Sequence, residues 1–388
     1  QKPFKNTPSQ GFLPLNSATV RPNKVVPRPD QYVGIATYVG NGGTQSINSL
    51  NMDPDLVWIK NRDEDVSHFL YDSVRGANKY LRPDGTFAED TGSSNELSFI
   101  HKGFTVNGAG GGVNKNTINF VAWCWRAGGN KNTFNVDDVG YATASAAGLD
   151  GGDITPSGAS VGTKQGFSII KYAGSGTSGD TLPHGLLQTP DFIITKNLSD
   201  SSINWIVKPV GFLTDDSYML LLDTNNAQFQ GSGGHISAQS STTVTLTEGS
   251  NDGNYNNSGD DYIMYSWHNV PGLQKFGTYI GNGNSDGSYI ELGFRPSLVI
   301  IKNLEGDNWI LHDSVREPFN PVSLQLYPSI TNAEYDFSGN AKDLLSNGFK
   351  LRGTNSGTND SDGTTKYIYA AWAEAPAFNL FGGQSNAR

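Results

Sequence analysis

The chain has 388 residues, of which 47 are Gly, 18 Pro and one Cys, with a formal net charge of −10. Charged residues are 16% of the total, below the ~25% usual in globular proteins, and only nine are Glu; this excludes a large helical protein, and 11% aromatics exclude a disordered one. The acidic pI near 5.0 argues against a nucleic-acid partner, no apolar run reaches the ~18 residues of a membrane span, and one Cys builds neither a disulfide framework nor a zinc site. The expectation is a soluble, turn-rich, all-β chain.

Residues 1–31 carry six prolines, Pro3, Pro8, Pro14, Pro22, Pro27 and Pro29. Proline fixes φ and has no N–H to donate, so the stretch is expected to run extended, as a linker or a docking arm. The first residue is Gln, which suggests a processed or truncated N-terminus.

Beyond the arm the chain repeats itself. A strand and turn open three segments, as Tyr38-Val-Gly40-Asn41-Gly42, Tyr172-Ala-Gly174-Ser175-Gly176 and Tyr279-Ile-Gly281-Asn282-Gly283. Each is followed by an apolar strand headed by Pro and closed by Lys-Asn: Pro54 to Lys60-Asn61, Pro190 to Lys196-Asn197, Pro296 to Lys302-Asn303. An aromatic comes next (Phe69, Trp205, Trp309), and a Trp-containing strand closes the unit, read as ending on Trp123, Trp267 and Trp372. The apolar runs are continuous, so both of their faces should be covered. Short strands divided by Gly/Asn/Asp/Ser turns predict three tandem β-sandwich-like repeats, over 32–129, 166–272 and 273–388. Residues 130–165 read as a Gly/Ala/Ser-rich linker. The first unit should therefore sit apart and the other two, almost abutted, form a tighter pair.

Candidate chemistry is sparse. Gly174-x-Gly176-x-x-Gly179 has the spacing of a dinucleotide loop, but Asp-Thr-Leu-Pro follows it, which cannot start the helix such a loop needs. Ser385 after Gly383 has no room for the helix behind a nucleophile. His68, His101, His184, His235, His268 and His312 form no evident catalytic or metal pair. Asp252-x-Asn254-x-Asn256 begins like a calcium loop and then departs from it, and Asn284-Ser-Asp286, Asp360-Ser-Asp362 and Asp260-Asp261 are similar oxygen-rich turns. Cys124, matched to His268 and Ala373, reads as a small buried side chain. Asp72-Ser-Val-Arg75 recurs as Asp313-Ser-Val-Arg316, against Lys208-Pro-Val-Gly in the second unit, and reads as a turn braced by its own side chains. Trp125, Tyr255, Tyr289 and Tyr327 are candidate sugar platforms near loops. No catalytic residue, cofactor site or metal site is assigned.

The sequences Tyr-x-Gly-Asn-Gly, Pro-Asp-Leu-Val-Trp-Ile-Lys-Asn-Arg, Asp-Ser-Val-Arg and Phe-Val-Ala-Trp-Cys-Trp-Arg-Ala-Gly-Gly resemble those of a family of virion structural proteins of marine tailed phages. So does the ending Tyr-Ile-Tyr-Ala-Ala-Trp-Ala-Glu-Ala-Pro, and the likeness covers nearly all of residues 30–388. It implies a β-rich, non-enzymatic tail-fibre or appendage component on the particle exterior, assembled in the host cytoplasm. The implied partners are other virion proteins, copies of itself (a trimer above all) and host-surface glycan. Members often carry a lectin-like sandwich upstream, and the family brings no catalytic residues. A polysaccharide-degrading tailspike and a capsid decoration protein are the alternatives.

Overall fold

The computed structural model describes residues 26–93, 95–231, 235–237, 240–247 and 255–376. Residues 1–25 of the arm, Asp252, Asn254, Gly383 and Ser385 lie outside them. The fold is all-β. Three segments each contain four antiparallel strands in the same spatial order (opening strand, closing strand, Lys-Asn strand, following strand), which form a four-stranded sheet in the first and third units and the middle of a nine-stranded sheet in the second. In the first these are Val33–Val39, Asn119–Trp125, Leu56–Asn61 and Phe69–Asp72. In the second they are Phe167–Ala173, Asp261–Trp267, Phe192–Asn197 and Ile206–Pro209. In the third they are Gln274–Ile280, Lys366–Pro376, Phe294–Asn303 and Ile310–Asp313.

A smaller three-stranded sheet accompanies each large one. It contains Gln45–Ile47, Gly103–Asn107 and Glu96–Ile100 in the first unit, and Asp180–Pro183, Thr243–Leu246 and Ile236–Ser237 in the second. In the third it contains Tyr289–Glu291, Gly348–Leu351 and Lys342–Leu345. Each pair of sheets encloses its own apolar core, around Phe104 and Phe120, around Tyr172 and Met264, and around Phe349 and Tyr367.

The opposite faces of the three large sheets share a fourth core. Trp58, Trp123 and Trp125 meet Phe167, Phe192, Trp205 and Trp267 there, together with Phe276, Ile300, Trp309 and Trp372. Each large sheet is thus covered on both faces, which is why the Lys-Asn strands Leu56–Asn61 and Phe192–Asn197 are buried along their whole length. This arrangement differs from the expected one. The first unit does not sit apart, and the units form a closed three-lobed body instead of a row. The apolar outer face of a large sheet must be buried, and in this chain it is buried on the other two units.

Residues 130–165 also differ from the linker reading. Phe134–Val136, Val139–Tyr141 and Gly158–Gly162 are strands that extend the second unit's large sheet beyond its opening strand. Small side chains, read as linker composition, suit a strand packed closely on both sides.

Strand pairing fixes which residues are equivalent. Tyr38 faces Phe120, Tyr172 faces Tyr262 and Tyr279 faces Tyr367. Leu56, Phe192 and Leu298 face Trp125, Trp267 and Trp372. The counterpart of Trp267 and Trp372 is therefore Trp125, two residues after Trp123. Cys124 corresponds to Ser266 and Ala371, in place of His268 and Ala373. By the same register Asp72 and Asp313 correspond to Pro209, and His68, just before Phe69, corresponds to Trp205 and Trp309.

Candidate functional site

Two recurrent constructions account for the repeated motifs. The first holds the opening turn. Asn114, Asn256 and Asn359, each wholly buried, accept a backbone N–H from Asn41, Ser175 and Asn282 respectively. Their amides donate to carbonyls of the same turns, at Gly43, Thr177 and Asn284. The Tyr hydroxyl of the opening strand donates to the carbonyl just before each Asn: Tyr38 to Val113, Tyr172 to Tyr255 and Tyr279 to Thr358, at 2.7–2.8 Å. Those rings stack on Phe120, Tyr262 and Tyr367 with centroids 5.0–5.2 Å apart. The Gly of Tyr-x-Gly is required by this clamp. A Cβ at Gly40, Gly174 or Gly281 would come within 3.0 Å of the backbone of the Asn loop.

The second construction is the buried Lys-Asn turn. Lys60, Lys196 and Lys302 are fully buried and donate to main-chain carbonyls: Asn61 and Glu64, Asn197 and Ile203, and Asp307. Burial pushes each of the three ammonium groups down to about 8. The following Asn caps its turn by accepting N–H groups, from Asp63 and Glu64, from Ser199 and Asp200, and from Glu305.

The seams between units repeat as well. Trp205 Nε1 of the second unit donates to Arg82 O of the first, and Trp309 Nε1 of the third to Leu221 O of the second, at 3.1 and 2.8 Å. At the first unit's equivalent position His68 Nε2 lies 3.0 Å from Tyr327 O of the third. Its Nδ1 accepts from Trp58 Nε1, so the proton sits on Nε2 and the imidazole donates as the two indoles do. Burial, aided by the Lys60 charge, holds His68 well below 6.5 and so neutral. A main-chain bond also recurs: Glu89 N–H to Leu198 O, Gln228 N–H to Leu304 O and Glu334 N–H to Arg62 O. At the centre Trp125, Trp267 and Trp372 touch one another edge to face, with centroids 5.4–6.5 Å apart. They line an apolar cavity of about 30 Å³, and an apolar void of that kind stays dry.

The Asp-Ser-Val-Arg motifs lie on two of these seams. Asp72 Oδ1 caps the turn through the Val74 and Arg75 N–H groups, and Oδ2 accepts from Arg75 Nε at 2.5 Å and from Tyr265 of the second unit at 2.7 Å. Asp313 does the same for Val315 and Arg316, and its Oδ2 accepts from Trp123 Nε1 of the first unit at 3.0 Å. Burial opposes the Arg75 and Arg316 charges, yet the adjacent carboxylates leave both raised above the ordinary guanidinium value. Arg316 also reaches Glu334, which is held from the first unit by Arg62. On the third seam the corresponding positions are Ala370, in line with Trp123 and Tyr265, and Pro209, in line with the two Asp residues. Donor and acceptor are missing together there.

The remaining candidates divide as follows. Gly174, Gly176 and Gly179 lie in a turn between two strands. Trp125 and Tyr255 are buried, contrary to a platform role, because one fills the shared core and the other the second sandwich. Tyr289 is exposed and Tyr327 half-buried. His312 is buried against Lys342 Nζ, His184 is held by Ser240 O, and His101 is exposed beside Asp53. His268 bonds Asn269 O, and His235 is half-buried near Thr247. Asp286 pairs with Lys350, Asp362 caps Thr364 and Thr365, and Asn256 belongs to the turn clamp. Cys124 is buried, and burial pushes its thiol up. Among the described residues no three His, Cys, Asp or Glu side chains are placed to hold a metal, and no helix is long and apolar enough to cross a membrane.

A domain of unknown function, DUF7483, matches residues 28–376, both clamp and seam included. The chain belongs to the DUF7483 family. The match runs through all three units as one domain, in keeping with their shared core. No curated protein and no solved structure matches the chain.

Proposed function

We propose that the chain is a non-enzymatic structural component of a tailed-phage particle, of tail-fibre or appendage type, that contributes to host-surface attachment. The observation that carries this reading is the use to which the recurrent polar residues are put. The Lys-Asn pairs, the clamp Asn residues and the Asp-Ser-Val-Arg motifs are all bonded within turns or across seams. Such residues build a rigid scaffold and leave variation to outer loops. The motif resemblance supplies the setting, the exterior of a virion, with other virion proteins, further copies of the chain and host glycan as partners.

The closed three-lobed body also favours a second reading, a capsid decoration protein, since a compact knob suits a shell surface. Electron microscopy of the particle with this chain located in it separates the two. A few to a few dozen copies on the tail support the appendage, and hundreds on the shell support decoration. An antibody against the chain that leaves adsorption unchanged would remove the attachment role. Absence of the chain from purified particles would remove the whole proposal.

A further inference from the structure

In the second unit the outer edge of the opening strand is covered. Gly158–Gly162 pairs antiparallel with Phe167–Ala173, from Gly162 opposite Phe167 to Gly158 opposite Lys171. All five residues, Gly-Ala-Ser-Val-Gly, are buried. A Cβ on Gly158 would stand 3.1 Å from Val74 of the first unit, so this strand lies where two lobes meet, and its Gly158 end has little room for a side chain.

The corresponding place beside the first unit is an open groove. Val33–Val39 is the outermost strand of its sheet among the described residues, and Val315, the counterpart of Val74, is 41% exposed. A groove of about 190 Å³ runs between them, lined by Val33, Gly34, Ile35, Leu50 and Val315. It continues the seam between first and third units. The residues leading into Val33 do not fold back along it: Pro29–Gln31 is a 3-10 turn, and Val26 N–H bonds Pro271 O in the link between second and third units. The acidic groups at its rim, Asp30 and Glu374, are paired with Arg28 and Arg295, so the groove favours an uncharged occupant.

We infer that this groove receives an extended, uncharged strand of small residues from another polypeptide, added antiparallel to Val33–Thr37 as Gly158–Gly162 is added to Phe167–Lys171. An edge strand offers a row of N–H and C=O groups to such a strand. Main-chain bonds supply the affinity, and the narrow space between lobes selects side-chain size. The inference does not rest on the virion reading.

The probe is a capped peptide with the sequence of residues 157–163, added at millimolar concentration to the full chain while amide exchange is followed. Alternate amides of residues 33–37 are expected to slow by about tenfold or more, with residues 167–171 unchanged. A peptide carrying Ser160→Pro, which lacks a ladder donor, should give no protection. The Val315→Trp chain, its groove filled by an exposed substitution, should lose the effect and keep its melting temperature. Any of three results overturns the inference: no slowing at residues 33–37, equal protection by the proline peptide, or residues 33–37 already exchanging as slowly as 167–171 without peptide. The last would mean that the chain covers this edge itself.

Discussion

At the scale of single residues, the buried lysines set the pH response. Lys60, Lys196 and Lys302 titrate at about 8 in the fold against 10.5 when exposed, and the buried Lys208 and Lys342, lowered to about 8 and about 7, add to the same response. Between those values the unfolded chain holds protons that the folded chain lacks, so raising the pH favours the folded state. Stability measured by urea unfolding should climb from about pH 8 to about pH 10, by at most ~3 kcal/mol per lysine. The buried hydroxyls of Tyr38, Tyr172 and Tyr279 sit well above 10.0, so the gain reverses once unfolded tyrosines ionise. His184, lowered to about 4 by burial, adds a rise of similar size per group between about pH 4 and 6.5, and the buried His68 and His312, lowered as well, act in the same direction. A flat profile from pH 8 to 10 would mean that the buried ammonium groups stay charged in the fold. Lys60, Lys196 and Lys302 were visible in the sequence as a recurrent Lys-Asn step, whereas their burial was not, since a lysine ending an apolar strand ordinarily reads as its exit to solvent.

At the scale of elements, the Asn clamp joins the opening turn to the loop before the closing strand. Replacing Asn114 or Asn359 by Ala leaves buried main-chain groups without partners, a loss of about 1–3 kcal/mol each. Chemical denaturation should show a lower midpoint with an unchanged slope; a loss under a few tenths of a kcal/mol would deny the clamp its role. This construction escaped sequence reading for a physical reason. The Asn stands six residues before Phe120 and Tyr262 but eight before Tyr367, and in an Asn-rich chain a donor on a loop of variable length carries no period. The closing strand misled in a different way. Trp123 and Trp125 alternate on one face of the same strand, and only pairing with Leu56 shows which of them answers to Trp267. The opening turns and the Lys-Asn strands were legible because both are short and local. The seams were not, because Trp205 and Arg82 lie 123 residues apart.

At the scale of the whole molecule, one core shared by three lobes couples their stability. Heating should give a single cooperative transition with equal calorimetric and van't Hoff enthalpies. A first unit melting by itself would contradict the common core. Trp267→Ala, at the meeting point of the three lobes, should cost about 3–5 kcal/mol and lower the melting of the entire body, not of the second lobe alone. Solution scattering offers a check on shape. A compact chain of this length has a radius of gyration of about 21 Å, and three sandwiches in a row would be clearly longer.

The seams described above are not interchangeable. Trp123 meets Asp313, Tyr265 meets Asp72, and at the third contact Ala370 corresponds to Pro209. Exchange two lobes and an indole N–H is set against a proline ring, while a buried carboxylate faces a methyl group and loses its donor. The chain therefore carries an assembly order written in its contacts. Three relatives that share a topology can close in one sequence around the centre, which protects a protein built of look-alike parts from joining to the wrong neighbour while it folds.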